Sequence, residues 1–148
     1  MKKVTFLISF LFVIFALHAQ NNFAVGKIEN GKLILTANAD LLCKTLSKNL
    51  ASQSNINAVF TSVELLKDNT SYLLIFHGDK YKTTFRGIAD INLNVVVNPK
   101  ASCTTSDKDC TKDPNNGCVP TSGQGCACTG CPADAVCTKT CSSVSLLE

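Results

Sequence analysis

Apolar residues form one unbroken run near the start of the chain, alternate with polar residues through its middle, and thin out over its last third. The middle carries the pattern of a small fold. Phe23 to Ile28 and Lys32 to Thr36 read as short strands. Between them, Glu29-Asn30-Gly31 predicts a tight hairpin, because asparagine and glycine tolerate the positive φ of a type I′ turn. A helix follows. Asn38 can cap its first turn, and Asp40 places negative charge near the positive end of the helix dipole. Ala39, Leu42, Cys43, Leu46 and Leu50 recur at helical spacing, whereas Lys44, Lys48 and Asn49 fall off that stripe. The helix is expected to end near Gln53.

Strands are expected after the helix. Asn57 to Leu66 is rich in β-branched and aromatic residues and should place Val59, Val63 and Leu65 on one side. Lys67-Asp68-Asn69-Thr70 forms a turn cluster, and the sequon Asn69-Thr70-Ser71 within it reads as part of that turn. Tyr72, Leu74 and Phe76 alternate with Leu73 and Ile75, so this strand is apolar on both faces and should be central. Beyond the His77-Gly78-Asp79-Lys80 turn, Tyr81, Thr83 and Phe85 alternate with Lys82, Thr84 and Arg86, which predicts one wet face. Ile91, Leu93, Val95 and Val97 continue the alternation, with Gly87 marking a bulge or bend and Asn98-Pro99 closing the last strand. The expected fold class is α+β: one helix packed on a small antiparallel sheet in β-β-α-β-β-β order, followed by an irregular disulfide-rich tail. This order resembles the cystatin arrangement of a helix wrapped by a sheet. The Q-x-V-x-G turn of those inhibitors is absent, so the resemblance implies no activity.

The first residues change the picture of compartment. Lys2 and Lys3 precede 14 residues, Val4 to Leu17, without a charge, and Leu17-His18-Ala19 supplies a small residue before Gln20. These are the three parts of a secretory signal peptide. A membrane-spanning helix needs about 20 apolar residues, and this run is shorter. Position 20 is glutamine rather than the cysteine of a lipoprotein, so the expected product is secreted or periplasmic, without a membrane anchor after cleavage. The organisation is then signal peptide over 1–19, small α+β domain over 20–99, and cysteine-rich disulfide module over 100–148. Loss of Lys2 and Lys3 lowers the formal net charge from +3 to +1. So neutral a chain carries no electrostatic case for nucleic acid or an anionic membrane.

The cysteines supply the candidate chemistry. Of nine, Cys43 stands alone, and Cys103, Cys110, Cys118, Cys126, Cys128, Cys131, Cys137 and Cys141 crowd the tail. Few large apolar residues lie among them, so the tail cannot build a core of its own and needs covalent or metal cross-links. Export favours disulfides, and the eight tail cysteines are the candidates. Their connectivity is open, since eight cysteines allow 105 pairings. The alternative is thiolate metal binding of zinc or copper. Cys126-Ala127-Cys128-Thr129-Gly130-Cys131 resembles the local spacing of metallothioneins over those six residues. Asp107, Asp109 and Asp113 could form a calcium loop, but they lack the glycine and glutamate of an EF-hand and read as a solvated turn.

Cys43 and His77 are the one pair resembling a nucleophile and a base. Cys43 falls on the apolar stripe, where a free core thiol is expected, or else a bond to a tail cysteine. No phosphate loop, paired-histidine site or nucleophile elbow is present, and no catalytic, cofactor-binding or metal residue is assigned. The layout resembles uncharacterised small exported proteins of Gram-negative bacteria that join a short α+β domain to a cysteine-rich C-terminus. That resemblance implies no enzyme activity and no cofactor. The expected function is non-enzymatic: an interaction module presenting disulfide-stapled loops to an unknown protein or extracellular ligand.

Overall fold

The computed structural model describes residues 22–106, 119–121, 127–129 and 139–146. Residues 1–21, over which a signal peptide is expected, and Cys110, Cys118, Cys126, Cys131 and Cys137 lie outside the described residues, as do Asp107, Asp109 and Asp113. Strands β1 (Phe23–Glu29) and β2 (Lys32–Leu35) form the hairpin. Its turn residues Asn30 and Gly31 have φ of 51° and 74°, the left-handed conformation the Asn-Gly pair supplies cheaply. Helix α1 spans Ala39–Ser54. The Asn38 side chain accepts a hydrogen bond from Leu41 N at 3.0 Å, and Asn55 ends the helix at φ 54°. Asn38→Ala should cost about 1 kcal/mol, read as a lower urea midpoint at unchanged slope.

Strands β3 (Phe60–Asp68), β4 (Ser71–Gly78), β5 (Lys82–Ala89), β6 (Asn94–Thr105) and β7 (Lys139–Ser142) complete an antiparallel sheet. Its order is β2-β1-β6-β5-β4-β3, with β7 added to β6. β1 pairs with Asn94–Val97 and β7 with Ser102–Thr105, so the two share one edge of β6 in succession. The sheet curls into a nearly closed barrel. Gly26 of β1 permits this closure. A Cβ there would strike the Leu65 side chain of β3 and lie 2.6 Å from the Ile34 carbonyl.

Alternation along β4 sorts the two faces. Leu74 and Phe76 point inward to a core shared with Leu42, Cys43, Leu46 and Leu50 of the helix and with Val25, Phe85, Val95 and Val97. Leu73 and Ile75 point outward, where Val119 of the tail packs on them. The strand is thus buried on both faces. Each fully buried aliphatic or aromatic side chain contributes about 1.5–3 kcal/mol.

Four local expectations are corrected. The strand after the helix starts at Phe60, and Val59 is exposed. Ile91 and Leu93 are not strand residues. They sit in a turn in which the Asp90 carboxylate accepts from the backbone N–H of Asn92 and Asn94, leaving Ile91 almost wholly exposed. Asn98-Pro99 does not close the last strand, because β6 runs on to Thr105. Between Phe85↔Ser102 and Gly87↔Val97 the register shifts, so Pro99, which has no N–H to give, lies in the irregular stretch. The Pro99 carbonyl accepts from Val144 N at 3.0 Å. The face of β5 expected to be wet is buried: Lys82 is 1% exposed and Thr84 0%. The composition change near residue 100 therefore falls inside a strand. The tail also returns to the core: Val144 and Leu146 join it, and Asn49 of the helix donates to the Ser145 carbonyl at 2.8 Å.

Candidate functional site

The outer face of the sheet carries the chemistry. Register places Glu64, Ile75, Thr84, Cys103 and Cys141 in one row across β3 to β7, each opposite the next. The next row holds Ser62, His77, Lys82 and Thr105. On the inner face, the equivalent row includes Thr83 and Thr104, whose hydroxyls bond each other at 2.8 Å. Polar groups on the inner face are thus matched in pairs. On the outer face, the buried Thr84 hydroxyl has no hydrogen-bond partner.

A short tail hairpin lies on this face. Thr121 N donates to the Ala127 carbonyl at 2.8 Å and Thr129 N to the Val119 carbonyl at 2.9 Å. Three devices pin it. Val119 packs on Leu73 and Ile75. Arg86 Nε donates to the Pro120 carbonyl at 2.7 Å. Cys128 is disulfide-bonded to Cys103, with their Cα atoms 5.8 Å apart. Arg86 is itself held: its Nη1 reaches Asp68 Oδ2 at 3.1 Å and the Ser71 hydroxyl. One arginine therefore ties the β3–β4 turn to the tail.

Cys103, Cys128 and Cys141 converge. Their sulfurs all lie within 4.8 Å of one another. Cys103 is fully buried, and the other two are half-buried. Cys141 is also disulfide-bonded. Spacing alone could not have found this trio. It depends on the β6–β7 register, which sets Cys141 opposite Cys103, and on the docking of the hairpin.

Cys43 lies elsewhere. It is a free thiol, 5% exposed, in the core under the helix, so the proposed bond to the tail is not made. His77 is on the opposite face of the sheet, following the outward Leu73 and Ile75, and pairs with Glu64 at 2.7 Å. Cys43 and His77 therefore do not form a nucleophile–base pair. The His77–Glu64 contact is one that the sequence reading missed. Two residues thirteen apart meet because a hairpin places them on one face, and a register of that kind is visible only once the turn is fixed.

Burial pushes the Cys43 thiol above its ordinary range, and the Asp40 carboxylate adds to the shift. The folded protein thus favours the protonated thiol. This contribution to stability is present below the unfolded pKa and is lost as pH rises through the folded one. Iodoacetamide at pH 8 should leave Cys43 unmodified in native protein and label it in urea. Labelling at equal rates in both would contradict its burial.

A separate cleft of about 400 Å³ opens between β1 and the start of α1, lined by Phe23, Ala24, Leu41, Leu42 and Leu146 among others. Its lining has no carboxylate, imidazole, thiol or amine side chain, and its polar groups are Thr36, Asn38 and Thr45. Among the described residues, no helix is long and apolar enough to cross a membrane. No protein-family model, curated protein or solved structure matches this chain.

Proposed function

We propose that the protein is a small exported binding module without catalytic activity, in which the disulfide-pinned tail provides a rigid platform for recognising a protein or extracellular ligand. The observation that carries this reading is the double anchorage of the tail hairpin. Cys103–Cys128 holds it covalently, and Arg86 holds the Pro120 carbonyl beside it. A surface fixed before binding loses little conformational entropy when a partner arrives, which is the physical use of such staples. The separation of Cys43 from His77 by the sheet supports the non-enzymatic reading. Export rests on the basic start and apolar run of the first 19 residues.

The test compares the intact chain with a Cys103→Ala/Cys128→Ala variant, each immobilised and exposed to secreted and periplasmic fractions. A specific partner should be retained by the intact chain, competed by soluble intact chain, and lost from the variant. Equal retention on both, or none that soluble chain competes, would remove the proposal. N-terminal sequencing of the exported product should begin at Gln20. An intact Met1 in that product would refute cleavage.

A further inference from the structure

We propose that the cleft between β1 and the start of α1 binds an uncharged, largely hydrocarbon small molecule that carries one hydroxyl or carbonyl group. The chain makes this opening by leaving β1 early. β2 pairs with β1 only from Gly26 onward. Past β2, Thr36 N and Ala37 N both donate to the Val25 carbonyl, at 2.9 and 3.0 Å, and the chain then enters the helix. Phe23 and Ala24 are left without a β2 partner, and a space of about 400 Å³ lies between them and α1. A volume of that order is usual for a small-molecule site.

The walls are apolar, and one hydroxyl is held among them. Leu42 and Leu146 are buried, Phe23 is half-buried, and Leu41 stands at the rim 47% exposed. Leu146 comes from the tail. Asn49 of the helix donates to the adjacent Ser145 carbonyl, so this wall is fixed before a ligand arrives. Thr45 lines the same cleft and is only 5% exposed. A helical threonine can bond the carbonyl four residues back. The Thr45 hydroxyl makes no such bond and has no hydrogen-bond partner among the described residues. The hydroxyl that is both unpartnered and sealed from solvent is that of Thr84, so the Thr45 hydroxyl keeps access to the cleft it borders. A largely desolvated hydroxyl without a partner gains a hydrogen bond when a ligand supplies one.

The lining also decides the ligand's charge. It holds no carboxylate, imidazole, thiol or amine side chain. A helix start attracts anions, but this one is already capped. The Asn38 side chain accepts from Leu41 N, the Asn38 carbonyl accepts from Leu42 N, and Asp40 supplies negative charge in the first turn. A ligand carboxylate would meet no cation in the lining, and Asp40 would repel it. A neutral hydroxyl or carbonyl suits Thr45, because a hydroxyl both donates and accepts. The cleft lies away from the outer face that carries the tail hairpin, so this site is independent of the partner binding proposed there.

The test uses the full chain with its disulfides intact, octanol as the ligand and octanoate as its charged counterpart. In an NMR titration, octanol should shift the signals of Phe23, Leu41, Leu42, Thr45 and Leu146 and leave Leu73, Ile75 and Val119 in place. Octanoate at neutral pH should bind about tenfold more weakly, or not at all. Thr45→Val removes the hydroxyl and nearly keeps the shape. It should weaken octanol about fivefold, the worth of one hydrogen bond, and leave the binding of toluene, which forms none, unchanged. Ala24→Leu should block octanol and toluene alike. The titration of the unaltered chain needs no variant, so a substitution that fails to fold does not remove the test. Octanol shifts that are absent, or centred away from the cleft, would overturn the site. Equal affinity for octanoate would overturn the choice of a neutral ligand, and wild-type octanol affinity in Thr45→Val would overturn the role of the hydroxyl.

Discussion

Replacing Phe76 with alanine should lower stability by about 3–5 kcal/mol, among the largest effects of any single side chain in this fold. Phe76 is fully buried at the centre of β4. Its ring meets Phe60 and Phe85 edge-on, with both centroid separations 5.8 Å. Truncation therefore removes its own buried area and one partner from each of two aromatic pairs. The neighbourhood has little means of collapsing into the space. Phe85 is fixed on the adjacent strand, and the neighbouring Thr83 hydroxyl is committed to Thr104. Phe60, at the irregular start of β3, has a looser setting, so Phe60→Ala should cost less. Urea unfolding checks both. The Phe76→Ala midpoint should fall sharply at nearly constant slope, and a loss under about 1 kcal/mol would contradict the packing described. For a domain of ordinary stability the expected loss is a third or more of the total.

The inner core was legible because its signals are local. The Asn-Gly hairpin, the Asn38 cap, the apolar helix stripe and the two apolar faces of β4 each depend on residues a few positions apart. The turn at Asp90 was less legible, since Ile91 and Leu93 keep the alternation of a strand. What overrides it is the Asp90 carboxylate, which accepts hydrogen bonds from the Asn94 side chain and the backbone N–H of Asn94 and Asn92, lies below its usual pKa for that reason, and fixes a turn with Leu93 at φ 62°.

The outer face was misread for a different reason. Lys82, Thr84 and Arg86 have the composition of a solvated face, and nothing within β5 says otherwise. Residues beyond position 100 return over this face as a hairpin, with Val119 on Leu73 and Ile75, the Pro120 carbonyl on Arg86 and Cys128 bonded to Cys103 opposite Thr84. The sharp change in composition hid this, because a coreless tail can still share its neighbour's core. Val144 and Leu146 enter the helix side and Val119 the other. The cysteine trio belongs to the same class of feature: three residues spread over 39 positions, joined by a register and a docking that no spacing rule encodes.

The second large effect follows from that shared face. Removing the Cys103–Cys128 bond with alanine at both positions should cost about 3.5 kcal/mol, the loop-closure value for a separation of 25 residues. Changing both cysteines avoids leaving a lone buried thiol. The loss has a structural signature as well. Without the bond, Val119 and the hairpin are held chiefly by Arg86 on Pro120, so the cover over Leu73 and Ile75 loosens. Amide exchange should therefore accelerate in β4 and β5 more than in the β1–β2 hairpin. Arg86→Ala alone should cost about 1.5–3 kcal/mol, because it breaks a charged hydrogen bond to Pro120 and the pair with Asp68. The two changes act on one hairpin, so together they should cost less than the sum of their separate losses. A strictly additive result would mean that the arginine and the disulfide stabilise different parts of the protein. A loss below about 1 kcal/mol for the double alanine would mean that the tail rests on the sheet without supporting it.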